Sequence, residues 1–181
     1  SEVEEVKEDS KRTLKELKDV AKKVDDDSKR LLEELERVAR KSIEDSKRLL
    51  DELRERGVPE DILRRAEKLV EEDIRRNEEI VRRIADRIRE MNEDNRRLLD
   101  EVAKEVEKSI REVDEAAKRG VDEKELRRLV EDDRRLVEEV KRDSERLLDE
   151  IRKLVEEIKE RLRRSVEELR RRVEEIKKTT T

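Results

Sequence analysis

This 181-residue chain contains no cysteine, histidine, phenylalanine, tyrosine or tryptophan. Without cysteine there is no disulfide, no thiolate nucleophile and no zinc-thiolate site. Without histidine the chain lacks the side chain that titrates near neutrality and most often binds metals. Without aromatic rings it has no surface on which bases stack and no cage for a cation. We therefore expect no enzyme activity, no cofactor and no metal site.

Charged residues dominate what is present, because Asp, Glu, Lys and Arg make up 59% of the chain and hydrophobic residues only 31%. Such a mixture suits either a disordered polyampholyte or long helices with a wide charged face. The 51 basic and 56 acidic residues are interleaved. Even the most basic stretch, residues 161–172, contains Glu167 and Glu168, which is typical of a solvated helix face rather than a nucleic-acid surface. No apolar run is long enough to span a bilayer, so we expect a soluble protein with neither a nucleic-acid nor a membrane partner.

Glycine and proline, which interrupt helices, occur only in two short segments that begin at Gly57 and Gly120. A glycine just beyond a helix end supplies the left-handed residue that closes the last turn. Pro59 suits the first turn of a helix, and Asp122 followed by Glu125 has the spacing of a capping box. These signals predict helices over about 2–56, 59–119 and 122–178. The short connections make neighbouring helices antiparallel, so we expect one up-down-up bundle comprising residues 1–181.

A repeat of 18 residues is visible in the first helix, where Ser10, Ser28 and Ser46 share the same sequence context. The leucines four residues after each serine keep the same phase. Eighteen residues complete about five turns at 3.6 residues per turn, the value for a straight helix, whereas heptad and 11-residue repeats supercoil. The sequence therefore predicts an all-α fold, a long, straight, antiparallel three-helix bundle with coiled-coil-like packing.

Polar residues interrupt the apolar stripe on all three helices. A serine in a helix can simply bond the carbonyl group four residues earlier, whereas an asparagine amide is costly to bury unpaired. We regard these residues as a structural polar core rather than as catalytic, cofactor-binding or metal-binding groups. They are Ser10, Ser28, Ser42, Ser46, Asn77, Asn92, Asn95, Ser109, Asp133, Ser144 and Ser165.

The antiparallel arrangement groups these polar residues into levels. With connections near residues 57–58 and 120–121, facing residue numbers sum to about 115–120 between the first two helices and about 241 between the last two. We interpret the levels as hydrogen-bond layers that fix register and helix order. A ligand or ion site is disfavoured because no histidine, carboxylate cluster or glycine-lined cavity accompanies the amides. The predicted levels are Ser10 with Ser109 and Asp133, Ser42 with Asn77 and Ser165, Ser28 with Asn92, and Asn95 with Ser144.

Helix propensity, apolar pattern, turn residues and charge placement all specify the same fold. The whole chain resembles de novo designed helical bundles generated from parametric backbones. It shares with them this agreement, the Gly-Val turns and a composition rich in Glu, Lys, Arg and Leu. The resemblance implies a hyperstable structural scaffold that has no natural function or location, needs no partner and is soluble in the cytoplasm of an expression host. Spectrin repeats also have three helices, but they are shorter and have a core tryptophan that is absent here.

A second hypothesis, from a different functional class, is a binding module. Its helices would offer a groove to a further helix, or associate with another copy, as the component of a heterodimer, an oligomer or a switch. The polar layers would then select the partner. The apolar stripes are wide enough for three helices, which favours the self-contained monomer. Binding to a lipid surface is disfavoured because the polar face is mixed in sign and no aromatic residue anchors it.

Overall fold

Three helices pack against one another in the computed structural model, which describes residues 2–178. Ser1 and Thr179–Thr181, which the predicted bundle included, lie outside the described residues. Helix α1 comprises Glu2–Glu55, α2 comprises Glu60–Arg119 and α3 comprises Glu123–Lys178. The all-α three-helix fold is confirmed, and the ends predicted at residues 56, 59 and 122 each differ by one residue from those observed.

Both α1 and α2 end in the same glycine-dependent cap. At the end of α1, the N–H of Gly57 donates to the carbonyl oxygen of Arg54 at 3.1 Å, and the N–H of Val58 donates to that of Leu53 at 3.4 Å. Together these two bonds form a Schellman motif. The same pair of bonds closes α2 around Gly120. The φ angles of 67° at Gly57 and 75° at Gly120 lie in the left-handed region, so the role predicted for both glycines is confirmed.

The starts of α2 and α3 differ slightly from the predicted arrangement. The carbonyl oxygen of Pro59 accepts from the N–H of Leu63 at 3.1 Å, so Pro59 precedes the helix as its cap rather than lying in its first turn. Asp122 caps α3 as expected, but its Oδ1 accepts from the backbone N–H of Lys124 at 3.3 Å. A capping box would direct that bond to the N–H of Glu125, whose N–H donates instead to the carbonyl oxygen of Asp122.

The contacts divide the chain into two compact units, each of which contains a segment of every helix. Unit 1 comprises residues 2–29 and 89–150, and unit 2 comprises residues 30–88 and 151–178. In unit 1, Leu17 of α1 packs with Val106 of α2 and Val137 of α3. In unit 2, the corresponding core contains side chains of all three helices, including Leu53, Val70 and Leu169.

Ion pairs within each unit report the register of the helices. Between α1 and α2, the two residue numbers of each pair sum to 121, close to the predicted range. Pairs with α3 join residues at similar distances from the starts of the two helices, so α1 and α3 are parallel and α2 is antiparallel to both. The α1–α2 pairs are Lys7–Asp114, Asp25–Arg96 at 2.6 Å and Arg54–Glu67 at 3.3 Å; the pairs with α3 are Glu2–Arg127 at 3.5 Å, Glu34–Lys159 and, from the residue just after α1, Arg56–Glu174 at 3.9 Å.

Candidate functional site: the buried polar residues

The clearest polar contact in unit 1 joins α1 to α2. The hydroxyl of Ser28 donates to Oδ1 of Asn92 at 2.8 Å, and Ser28 is fully buried. The antiparallel register predicted this pair from sequence alone, and the structure confirms it. Because the amide oxygen accepts a hydrogen bond from a neighbouring helix, its burial does not carry the full cost of an unpaired polar group.

Asn95 forms the equivalent contact on the other side of α2. The hydroxyl of the buried residue Ser144 in α3 donates to Oδ1 of Asn95 at 3.2 Å, as the register predicted. Asn92 and Asn95 are only three residues apart, yet they bond different helices. Nδ2 of Asn95 is buried and has no hydrogen-bond partner. The two amides therefore distinguish the two neighbours of α2, and one of them retains an unused donor.

Asp133 of α3 is a buried carboxylic acid that has only part of its hydrogen bonding satisfied. Ser109 of α2 acts on its carboxyl group, where it lowers the pKa, and Oδ2 has no hydrogen-bond partner. Burial raises the pKa of Asp133, the bond from Ser109 opposes this change, and the nearby carboxylates Glu105, Asp132 and Glu112 raise the pKa further. Removing a carboxylate from water disfavours its charged form.

Ser10 was predicted to complete the level of Ser109 and Asp133 from α1. It is buried, but its hydroxyl oxygen has no hydrogen-bond partner. The prediction that Ser10 joins this hydrogen-bond layer is therefore wrong. The antiparallel register predicted that Ser10 lies opposite Ser109 and Asp133. The register does not determine whether a short hydroxyl side chain reaches a group on another helix.

A closed polar network lies between α2 and α3 in unit 2. Nδ2 of Asn77 donates to Oγ of Ser165 at 3.0 Å and to Oδ2 of Asp73 at 3.3 Å. The hydroxyl of Ser165 donates in turn to Oδ1 of Asp73 at 2.7 Å. The guanidinium of Arg76 lies 3.8 Å from the same oxygen. The three side chains thus satisfy one another, and a cation lies beside the carboxylate.

Ser42 of α1 lies beside this network without receiving a hydrogen bond from Asn77. Ser42, Ser46 and Asn77 line the same small cavity, and all three side chains are buried. Both N–H groups of Asn77 are used by Asp73 and Ser165, so the amide has no further donor for Ser42. Ser42, Asn77 and Ser165 thus lie at the same level, as predicted. The hydrogen bonds of Asn77 and Ser165 to other helices, however, join only α2 and α3.

Two buried polar residues were missed by the sequence analysis. Asp73 lies four residues before Asn77 and three after Val70, so helical spacing places it on the same apolar face. This signal was available, but Asp73 was not included in the predicted polar core. The second residue, Thr13, donates its hydroxyl to the carbonyl oxygen of Asp9 at 2.9 Å, within its own helix.

Within residues 2–178, no three or more histidine, cysteine, aspartate or glutamate side chains cluster in a way that would hold a metal ion. No helix in that range combines the length and apolar character needed to cross a membrane. What the arrangement does show is a donor on one helix paired with an acceptor on another.

The chain matches no protein-family model, no curated protein and no solved structure. The functional argument therefore depends on the fold and on the polar residues themselves.

Proposed function

We propose that this chain is a self-contained structural scaffold of the de novo designed type, in which buried polar pairs select the helix packing, and that it catalyses no reaction. The observation that supports this most directly is the pairing of Ser28 with Asn92 and of Ser144 with Asn95. Each pair takes one member from α2 and the other from a different neighbour. Such contacts specify helix order and rotation, and they provide no reactive group.

The energetic basis is the cost of unpairing a buried polar group. One helical turn from Ser28 along α1 lie Val24 and Leu32, which offer no hydrogen bond. A displacement of α1 by one turn would therefore separate the buried hydroxyl of Ser28 from the half-buried Asn92 and leave that hydroxyl unpaired, at a cost of about 1–3 kcal/mol. An apolar stripe alone tolerates such a displacement far better, because leucine and valine replace each other at moderate cost.

The first test is the mass of the protein in solution. Light scattering on the purified chain should give 21.9 kDa over a wide range of concentration, the mass of one chain. A larger mass that persists on dilution would contradict a self-contained bundle.

The second test replaces a polar pair by apolar residues. The double variant Ser28→Ala with Asn92→Leu should keep its helix content and its stability, because removing both partners leaves no unpaired group. It should, however, lose structural uniqueness, visible as additional or broadened amide signals in two-dimensional NMR spectra. Ser46→Ala, a change at a buried serine in the same helix, is the matched control and should retain one set of signals. A single sharp set of signals from the double variant would show that the pair does not select the packing.

A further inference from the structure

An open cleft of about 420 Å³ lies between α2 and α3 in unit 1. Its apolar walls are Met91 and Leu98 of α2 and Leu147 of α3. Leu98 is 39% exposed, whereas its neighbour Leu99, which faces the core, is 4% exposed. The cleft thus contains the most exposed leucine among residues 2–178.

Asn95 lines the same cleft and has an unused donor that is itself buried. The residue is only 8% exposed, and Ser144 already satisfies its Oδ1. Its Nδ2 has no partner, although buried amide groups in folded proteins are nearly always paired. A small rotation of the side chain toward the cleft would let a ligand acceptor remove this deficit.

The charged residues around the cleft are mainly acidic. Asp94, Asp143 and Glu150 contribute three carboxylates, and Arg146 contributes one guanidinium. That guanidinium lies 3.7 Å from Asp143, a residue of its own helix. A surplus of two negative charges therefore surrounds the apolar walls, and this favours a basic ligand.

We propose that this cleft binds an amphipathic helix of another protein. The helix would cover Leu98 and Leu147 with aliphatic side chains, and lysine or arginine residues beside that stripe would meet the carboxylates. An asparagine or glutamine within the stripe would accept from Nδ2 of Asn95. Docking of an amphipathic helix into an apolar groove is a common mode of recognition. A second copy of this chain fits less well, because two acidic surroundings would face each other.

The test uses a synthetic helical peptide of about 25 residues, long enough to be partly helical in isolation. It has a leucine stripe, lysine flanks and one central asparagine. Two matched peptides replace that asparagine by leucine or all the lysines by glutamate. With labelled peptides, fluorescence anisotropy should show saturable binding of the basic asparagine peptide to the intact chain. We expect the acidic peptide to bind at least roughly tenfold more weakly, because its charges have the same sign as the cleft.

Three variants localise the binding. Leu98→Glu should weaken binding of the basic asparagine peptide by roughly tenfold or more. Val121→Glu makes the same change at a side chain that is 36% exposed and lies outside the cleft, and it should leave binding unchanged. Asn95→Asp keeps the acceptor for Ser144 but removes the unused donor. The asparagine peptide and the leucine peptide should therefore bind this variant with equal affinity. The added negative charge affects both peptides alike, so it cancels in the ratio of their affinities.

Three results would overturn the proposal: no peptide binds, the acidic peptide binds as tightly as the basic one, or Leu98→Glu has no more effect than Val121→Glu. A doubling of mass that Leu98→Glu abolishes would also overturn it, since the occupant would then be a second copy. Failure of peptide binding leaves the NMR result for the Ser28–Asn92 pair unaffected, so the scaffold proposal is tested separately.

Discussion

Asp133→Asn should stabilise the protein at neutral pH, which is the reverse of what removal of a buried hydrogen-bonding group usually does. Asp133 is 6% exposed, its Oδ2 has no partner, and three carboxylates lie near it. Asparagine has nearly the same shape, carries no charge and retains an oxygen that accepts from Ser109. The substitution therefore removes an unfavourable charge without creating a cavity.

The pH dependence follows from the raised pKa of Asp133 in the folded protein. Because this pKa lies above the ordinary value of 3.8, the folded state binds the proton more tightly than the unfolded state. The contribution of Asp133 to stability is thus most favourable below pH 3.8, decreases as the pH rises through the folded-state pKa, and is constant above it. Asparagine leaves an unpartnered Nδ2 where Oδ2 stood, so the gain comes from the removed charge alone, and each tenfold change in proton affinity between the folded and unfolded states is worth about 1.4 kcal/mol. At about 2–4 °C per kcal/mol for a chain of this size, the melting temperature should rise measurably at pH 7.

Guanidinium denaturation followed by circular dichroism at 222 nm, at pH 7 and at pH 3, measures the effect. The gain in unfolding free energy of Asp133→Asn over the parent should be present at pH 7 and should disappear at pH 3. Asp132→Asn removes the same charge from the adjacent exposed residue and should give a much smaller gain. Destabilisation of Asp133→Asn at pH 7, or an equal gain at both pH values, would refute the reasoning.

Four further substitutions test other parts of the structure. Gly57→Ala and Gly120→Ala should each cost about 1–2 kcal/mol in denaturant unfolding, because both residues have positive φ, and no loss would contradict the left-handed caps. Asn77→Leu alone should cost about 1–3 kcal/mol in the same assay because it leaves Ser165 and its carboxylate partner without the amide, and a neutral or stabilising result would mean that the network contributes nothing. Leu35→Ala should lower stability by about 2–5 kcal/mol, since Leu35 is fully buried, and a loss below this range would show that the core collapses around the gap.

The fold was predictable because its signals are local. Gly57 and Gly120 mark the helix ends, and the spacing of apolar residues identifies the buried face. The predicted register also located Ser28 opposite Asn92, and Asn95 opposite Ser144, because short turns leave antiparallel helices few alternatives. The straightness of the helices and the single bundle of residues 1–181 stay predictions.

The details of the polar residues were less predictable because they depend on side-chain reach. Ser10 and Ser109 are both buried serines, yet Ser109 lies close enough to Asp133 to lower the pKa of its carboxyl group, whereas the Oγ of Ser10 has no partner. Position along a helix fixes the height of a side chain, but a hydrogen bond requires agreement within a few tenths of an ångström. Asp73 was missed for a different reason, since the residue type suggested exposure while its spacing from Asn77 indicated burial.

In unit 1, α1 provides the cation of one ion pair with α2, Lys7–Asp114, and the anion of the next, Asp25–Arg96. This alternation affects how the helices of two separate molecules could pair. If α1 of one molecule paired with α2 of another, no turn would restrain the register, and a stagger of 18 residues would again align serines and leucines. A shift of α1 by 18 residues in one direction would place Lys7 opposite Arg96, and a shift in the other direction would place Asp25 opposite Asp114. In both cases like charges face each other. Staggered pairing leaves an unmatched end on every molecule and can continue indefinitely as a fibre. The alternation of Lys7 and Asp25 therefore disfavours open-ended polymerisation, to which an 18-residue repeat would otherwise be prone.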